Sequence, residues 1–306
     1  MKVLIVCSKN SGKIDPFILE QTQALERAVV ELEFFAIEGK GLGGYLKNRK
    51  KLIQKIQQFN PEIIHAHYGL AGLLANTQRK VPVVTTYHGS DINDPKIFPF
   101  SWLNMLLSAH NIFVSEKNQQ KTGLLKNNSL IPCGVDLKMF KPTEKTEARE
   151  LLGLEQNKNY ILFAGAFYNK VKNAEFAIKA VYRLDNACLL ELRGYTREQI
   201  ALLMNAVDTA LMTSYSEGSP QFIKEALACN CPVVSVPVGD VPYMIKNLNG
   251  CYISSYDPND VAAKLKLAMS FGKLTDGRKR IVELSLDNES VAGRILEVYK
   301  GVRSKK

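Results

Sequence analysis

The sequence predicts an α/β protein built from two parallel-sheet domains. Apolar runs of strand length recur along the whole chain, and most are unbroken, as in "KVLIVCS" and "YILFAGA". Strands read that way when both faces are buried, which happens in parallel sheets covered by helices. Helical patterns separate the runs, and strand–helix alternation over a whole chain marks α/β architecture. A third observation sets the division. Residues 133–159 are polar and charged, carry Gly134 and Pro142, and interrupt the alternation before strands resume at Tyr160. A linker there gives one domain over 1–140, a second over 141–290, and a terminal helix over 291–306 free to pack back toward the first.

In the first domain the runs place strands at 2–8, 32–37, 62–68, 81–88, 111–115 and 129–133, with helices over 17–30 and 47–59. In the second they place strands at 160–166, 188–194, 209–214, 231–237 and 250–254, with helices over 174–184 and 261–271. Open parallel sheets hold ligands beyond the carboxyl ends of their strands, so two such domains facing each other are expected to share a cleft.

Composition narrows the partners. The 306 residues suit two domains of ordinary size. No apolar run is long enough for a spanning helix, and the N-terminus reads as a buried strand rather than a signal peptide, so a cytoplasmic protein is expected. The six cysteines (Cys7, Cys133, Cys188, Cys229, Cys231 and Cys251) form no C-x-x-C pair. They read as small buried hydrophobes in a reducing compartment, with no metal site expected. A net charge of +10 points to an anionic partner, whether a phosphate-bearing substrate, an acidic lipid surface or a nucleic acid. No nucleic-acid motif or basic aromatic platform appears, so nucleic acid is not expected. The absence of G-x-G-x-x-G after the first strand argues against a dinucleotide-dependent dehydrogenase.

The chemistry concentrates in "SEGSPQFIKEALACNCPVV", residues 216–234. A strand ends at Ser214, a turn follows, and a helix is expected from Pro220 to Cys229. Ser219 is the candidate N-cap, Pro220 the first helical residue and Asn230 the left-handed C-cap. Phe222, Ile223, Ala226 and Leu227 form its buried stripe, while Gln221 and Glu225 share another face. A helix start offers free N–H groups and partial positive charge to a phosphate. Glu225, one turn in, can accept both hydrogen bonds of a vicinal diol. Glu217, in the turn, sits nearer to whatever extends beyond the phosphates. By residue type alone, two solvated surface glutamates would read the same way.

The run 216–245, with its Gly239-x-x-Pro242 turn, resembles the donor-site signature of glycosyltransferase family 4, which has the GT-B fold. "IPCGVDLKMFKP" (131–142) resembles that family's interdomain linker, with Cys133 where Asn is usual. "IIHAHYGLAG" (63–72) and "TTYHGSD" (85–91) resemble its N-domain strand ends. The resemblance implies a GT-B protein that transfers a sugar from a nucleotide-diphosphate donor, UDP or GDP in type, to a glycan or lipid-linked acceptor. Anomeric configuration is retained, and neither metal nor cofactor is needed. By similarity Glu225 holds the ribose and Glu217 the sugar hydroxyls. Gly218, Ser219, Pro220 and Gln221 face the diphosphate or sugar, Gly194 and Tyr195 line the base pocket, and His88 approaches the donor sugar. His65 and His67 read better as strand-end packing.

Three departures stand out. The family supplies an Arg after a Gly and a Lys six residues beyond. Here Ala166 takes the Arg position, Lys172 matches the Lys with Lys170 beside it, and Asn173 replaces a glycine. Only one helix, "TREQIALLMNAVD", separates "CLLELRG" from "TALMTS", so the C-terminal domain is shortened. Tyr243 stands where a Glu is common. On the acceptor side Ser11 and Gly12 are the loop candidates, and the basic segment 43–59, with Leu46, Ile53 and Ile56, is a candidate for resting on an anionic membrane surface. The alternatives are another enzyme on the same fold, such as a nucleotide-sugar epimerase or a phosphorylase, or a nucleotide-binding partner subunit with little or no turnover. No pyridoxal-lysine context supports the phosphorylase.

Overall fold

The computed structural model describes residues 1–10, 12–28, 30–123 and 126–304. Contacts divide the chain into two units, Met1–Gly134 with Asn288–Lys306, and Val135–Asp287. The chain therefore changes unit before position 140 and returns before position 290. The reason is local. Val135 pairs with Asp287 as a parallel bridge, its N–H donates to Leu286 O at 2.9 Å, and Phe140 is fully buried in the second unit's core.

The first unit is a six-stranded sheet in the order β2-β1-β3-β4-β5-β6. Its strands are β1 (Lys2–Ser8), β2 (Glu31–Ile37), β3 (Ile63–His67), β4 (Val83–Tyr87), β5 (His110–Phe113) and β6 (Asn128–Leu130), all paired in parallel. Alternate β1 residues feed opposite faces, as strand geometry requires. Val3, Ile5 and Cys7 join Ile18, Leu25, Ile295 and Tyr299 in one core, whereas Leu4 and Val6 join Leu52, Phe59, Leu70 and Leu74 in another. Through the first of these cores the Asn288–Arg303 helix packs on Pro16–Arg27, with Arg27 Nη2 donating to Glu289 Oε1 at 3.0 Å.

The second unit is a five-stranded parallel sheet in the order β11-β10-β9-β7-β8. The strands are β7 (Asn159–Phe163), β8 (Ala187–Glu191), β9 (Thr209–Met212), β10 (Val233–Ser235) and β11 (Tyr252–Ile253). The stretch 133–159 is not a free linker. It contains a helix, Lys145–Leu152, that packs on Arg197–Ala206. Arg149, buried on that helix, donates to Ala206 O at 2.8 Å and to Asp208 Oδ2 at 2.9 Å. A helix with one buried arginine shows little apolar periodicity, so its sequence reads as linker. Five cysteines are buried, but Cys188 is only half-buried. No helix among the described residues is long and apolar enough to cross a membrane.

Candidate functional site

The candidate residues of the second unit gather where β7 and β9 end. β9 leads into Thr213 and Ser214, and the Glu217–Pro220 turn leads into the Gln221–Ala228 helix. The helix starts one residue later than its sequence suggests. Pro220 is the N-cap in extended conformation, without a side-chain cap, and Ser219 lies before it. Proline fits there because a helix start has no use for the missing N–H. The expected stripe is buried, but so are Lys224 at 0% exposure and Glu225 at 4%, so the helix is enclosed nearly all round.

Both glutamates have cationic partners. Lys172 Nζ lies 2.6 Å from Glu217 Oε1, with side chains 22% and 16% exposed, so the pair is reachable from solvent. Lys172 is held at its backbone and its stem. Thr213 Oγ1 donates to Lys172 O at 2.9 Å and to Asn173 O at 3.2 Å. A Cβ at Gly165, where φ is +148°, would stand 3.1 Å from Lys172 Cγ. Asn173 has φ +58°, which explains why Asn serves where the family uses Gly: its short polar side chain tolerates the left-handed region. Arg197 Nη1 donates to Glu225 Oε1 at 2.7 Å, and its guanidinium lies 4.7 Å from the Phe140 ring centroid.

The turn is buttressed from two sides. Gly239, at φ +56°, is obligatory because a Cβ there would stand 2.4 Å from Gly218 O, and Asp240 N donates to that same carbonyl at 3.1 Å. Inside, Lys224 Nζ donates to Gln221 Oε1 at 3.1 Å and to Ser219 O at 3.4 Å. Burial raises the pKa of Asp240, against the opposing pull of the Lys224 charge. Arg197 and Lys224 were missed from sequence. Their partners lie on other segments or on a helix that looked simply amphipathic, and no periodicity marks them.

Ala166 O accepts from Asn169 N at 3.0 Å, and Phe167 N donates to Glu191 Oε1 at 2.7 Å, which ties this loop to β8. Lys170 is exposed in the short Lys170–Lys172 turn. Gly194 has φ +79° with open space around it, and Tyr195 beside it is 38% exposed. Arg193, next in line, lies over Tyr168 at 5.1 Å.

His88 belongs to the first unit, just past β4. Its Nε2 shares a hydrogen bond of 3.0 Å with Nδ1 of His67, and its Nδ1 lies 3.7 Å from Cys133 Sγ. His67 stacks on His65, which in turn bonds Tyr299 Oη at 2.6 Å and Thr86 Oγ1 at 2.7 Å. Burial pushes His65 and His88 down to about 3, and His67 well below its ordinary value. All three rings are therefore neutral at pH 7, and His88 offers a hydrogen bond rather than a charge. Asp91 holds the loop, accepting from Gly69 N, Gly89 N and His88 N, and burial lifts its pKa to about 6. Gly12 has φ +90° and donates to Lys9 O at 2.9 Å, whereas Ser11 lies outside the described residues. Asn10 and Gly39 exchange hydrogen bonds of 2.7 and 2.8 Å beside that loop.

Two parallel-sheet units, the second gathering cation–carboxylate pairs where strands end and a helix begins, define the class as GT-B. Residues 2–139 match the model described as Glycosyltransferase Family 4, and residues 184–270 the model described as Glycosyl transferases group 1. Both models are of glycosyltransferases, the first lying mainly on the first unit and the second on the second unit. Among curated relatives it is 27% identical over 220 residues to a Bacillus subtilis protein named as the teichuronic acid biosynthesis glycosyltransferase TuaC, a match covering 61% of this chain and 56% of that one. It is 24% identical over 255 residues to the D-inositol 3-phosphate glycosyltransferase of Mycobacterium marinum, covering 67% and 54%. The chain thus spans about half the length of the curated relatives it matches. Its fold is that of sucrose-phosphate synthase from Thermosynechococcus elongatus, with TM-score 0.82, 17% identity and full coverage of both chains. It is also that of Anabaena HepE in complex with UDP, with TM-score 0.74, 17% identity, and coverage of 98% and 100%.

Proposed function

We propose that this protein transfers a sugar, with retention of anomeric configuration, from a nucleoside-diphosphate donor to a glycan or lipid-linked acceptor. The observation that carries the reading is the reachable Lys172–Glu217 pair beside the Glu225-bearing helix. Glu225, oriented by Arg197, binds the ribose hydroxyls. Glu217 takes hydroxyls of the sugar. The N–H groups at the start of that helix, near Gly218, Ser219 and Gln221, face the diphosphate. Lys172, with Lys170 nearby, neutralises the charge that develops on the leaving diphosphate, so no metal is required. The HepE complexes with UDP and with UDP-glucose support a uridine nucleotide donor, and the Bacillus relative's name supports a role in surface polysaccharide.

Ala166 favours a second reading, a nucleotide-binding partner subunit without turnover. Thermal shift with UDP, GDP, ADP, CMP, TDP and their common sugars, with and without Mg²⁺, separates these readings when followed by a turnover assay. A ligand at about 100 times its Kd stabilises by about 2.7 kcal/mol. A rise with one base, independent of Mg²⁺, together with sugar release, supports the transferase. A rise without turnover supports the subunit, and no rise at all removes the donor site.

A further inference from the structure

The Phe98–Leu107 helix of the first unit is partly inverted. Its inward residues are Ser101, Asn104 and Met105, so polar groups share the buried face with one apolar side chain. Ser101 and Asn104 are both fully buried, with Ser108 buried just beyond the helix end. Asn104 Nδ2 donates to Tyr87 Oη at 2.7 Å, and Asn104 Oδ1 accepts from Asn76 Nδ2 at 2.8 Å. The packing beneath is close. A Cβ at Gly69 would stand 2.1 Å from Ser101 Oγ, and one at Gly72 would stand 2.2 Å from Asn104 Nδ2. The outward residues are apolar. Pro99, Trp102, Leu103 and Leu106 are exposed at spacing i, i+3, i+4, i+7, with the last three at 39%, 47% and 59%. A helix that faced only water would carry the opposite pattern, and a contiguous apolar stripe of this kind marks a contact surface.

The surroundings say what it contacts. Lys96 and Lys121 are exposed beside it, and Lys121 Nζ lies 5.0 Å over the Phe98 ring and donates to Ile92 O at 2.9 Å. The Arg49–Phe59 helix lies on the same side of the sheet, since Leu52, Phe59 and Ile56 share a core with Phe100 and Ile97. Of the residues expected to meet lipid from segment 43–59, Leu46 is 40% exposed while Ile53 and Ile56 are half-buried. Most of what the segment presents is charge: Lys47, Arg49, Lys50 and Lys51 are exposed. One side of the unit therefore combines a basic helix with an apolar stripe bearing a tryptophan. Tryptophan and leucine settle at the boundary between headgroups and acyl chains, while lysines reach anionic headgroups.

We propose that the outward face of the Phe98–Leu107 helix docks on an anionic lipid bilayer, with Trp102, Leu103 and Leu106 entering the interface and the neighbouring lysines contacting headgroups. The docking is independent of the donor-site assignment. Trp102 is the chain's single tryptophan, so its emission reports the contact directly. The full chain is titrated with vesicles of phosphatidylcholine alone and of phosphatidylcholine with phosphatidylglycerol, at low and high salt, and pelleted in parallel. The expected result is a blue shift and pelleting with the anionic vesicles, weakened by salt. In the Leu103→Glu/Leu106→Glu variant, which keeps Trp102 and alters only outward side chains, apparent affinity falls at least about tenfold. Circular dichroism and melting verify that this variant folds. Wild-type protein that neither shifts nor pellets overturns the proposal, as does a folded variant that binds equally well. A blue shift that grows with protein concentration without vesicles, accompanied by a doubled mass in sedimentation, also overturns it and assigns the face to a second copy of the chain.

Discussion

Removing Arg197 tests the site through an interaction that periodicity does not reveal. Glu225 is 5% exposed and Arg197 22%, with 2.7 Å between Nη1 and Oε1. At an effective dielectric of about 20, their attraction is about 6 kcal/mol, most of it offset by the cost of taking both charges from water. Breaking such a pair from one side costs about 3–5 kcal/mol when both members are buried, and the partial exposure of Arg197 reduces this to about 2–3 kcal/mol. Loss of the Phe140 stacking adds about 0.5–1 kcal/mol. Arg197→Met is therefore expected to lower the melting temperature of the second unit by about 5–12 °C. Glu225→Gln leaves Arg197 with a neutral acceptor and access to solvent, so it costs about 1 kcal/mol. The double variant buries no unpaired charge. It should be more stable than the sum of the singles implies, by at least about 1 kcal/mol. Calorimetric melting of the four proteins gives this coupling, and UDP titration of the same four gives its functional counterpart. Because Glu225 is assigned to the ribose, each single variant should bind nucleotide more weakly than wild type. Additivity within about 0.5 kcal/mol, with unchanged nucleotide affinity, would refute both the pairing energetics and the ribose assignment.

Glu217→Ala should lower kcat more than it weakens nucleotide binding, and Lys172→Ala should lower kcat by about 10²–10³, read from initial rates and titration together. Ala166→Arg returns a cation to the loop after β7, where the residues that follow are exposed and leave room. Its nucleotide affinity should rise about tenfold, the worth of one charged hydrogen bond. A rise without turnover identifies the partner subunit, and an unchanged affinity places the diphosphate elsewhere. Acid should destabilise the first unit. His65 and His88 fall from an ordinary value of 6.5 to about 3, so between those values the native state binds fewer protons than the unfolded chain. Stability is fully present above about pH 6.5 and is lost as pH falls, by up to about 1.4 kcal/mol per pH unit for each histidine. Asp91, raised to about 6, acts the other way below that pH, but one carboxyl opposes three rings. Denaturant midpoints at pH 7 and pH 5 check this, and a midpoint equal or higher at pH 5 contradicts it.

The sheets were legible because their central strands are buried on both faces. Every residue of β3 and β4 is buried, and their apolar and β-branched character, broken only by His65 and His67, reflects that. Among the helices that the sequence did not announce, two show why. Phe98–Leu107 buries Ser101 and Asn104 beside Met105 and exposes Trp102, Leu103 and Leu106, so a reading that assigns apolar to core finds no clean stripe. Lys145–Leu152 buries an arginine whose bonds run to Ala206 and Asp208, partners that no local pattern announces. At the site, the spacing of Glu217 and Glu225 was readable because both lie on one turn–helix unit. Their cations were only half readable. Lys172 stands out by resemblance, whereas Arg197 comes from the shortened connection after β8, where the family carries more chain.

That shortened connection and Ala166 bear on each other. Losing the clamp arginine removes one positive charge from the loop after β7, and the charges that remain are already paired: Lys172 with Glu217, Arg197 with Glu225. A diphosphate entering such a site brings negative charge without a free cation waiting for it in either pair. It must therefore share Lys172 with Glu217 and draw on exposed Lys170 and the helix N–H groups. Lys172 suits the sharing. Thr213 and Gly165 fix its backbone and stem, while its ammonium, a compact charge with three donors, can serve a carboxylate and a phosphate oxygen together. An arginine at that position would commit its planar fork to one partner. On the proposed function, the same sharing would make Glu217 the counter-charge that holds Lys172, and removing either residue is expected to cost more in turnover than in ground-state nucleotide binding.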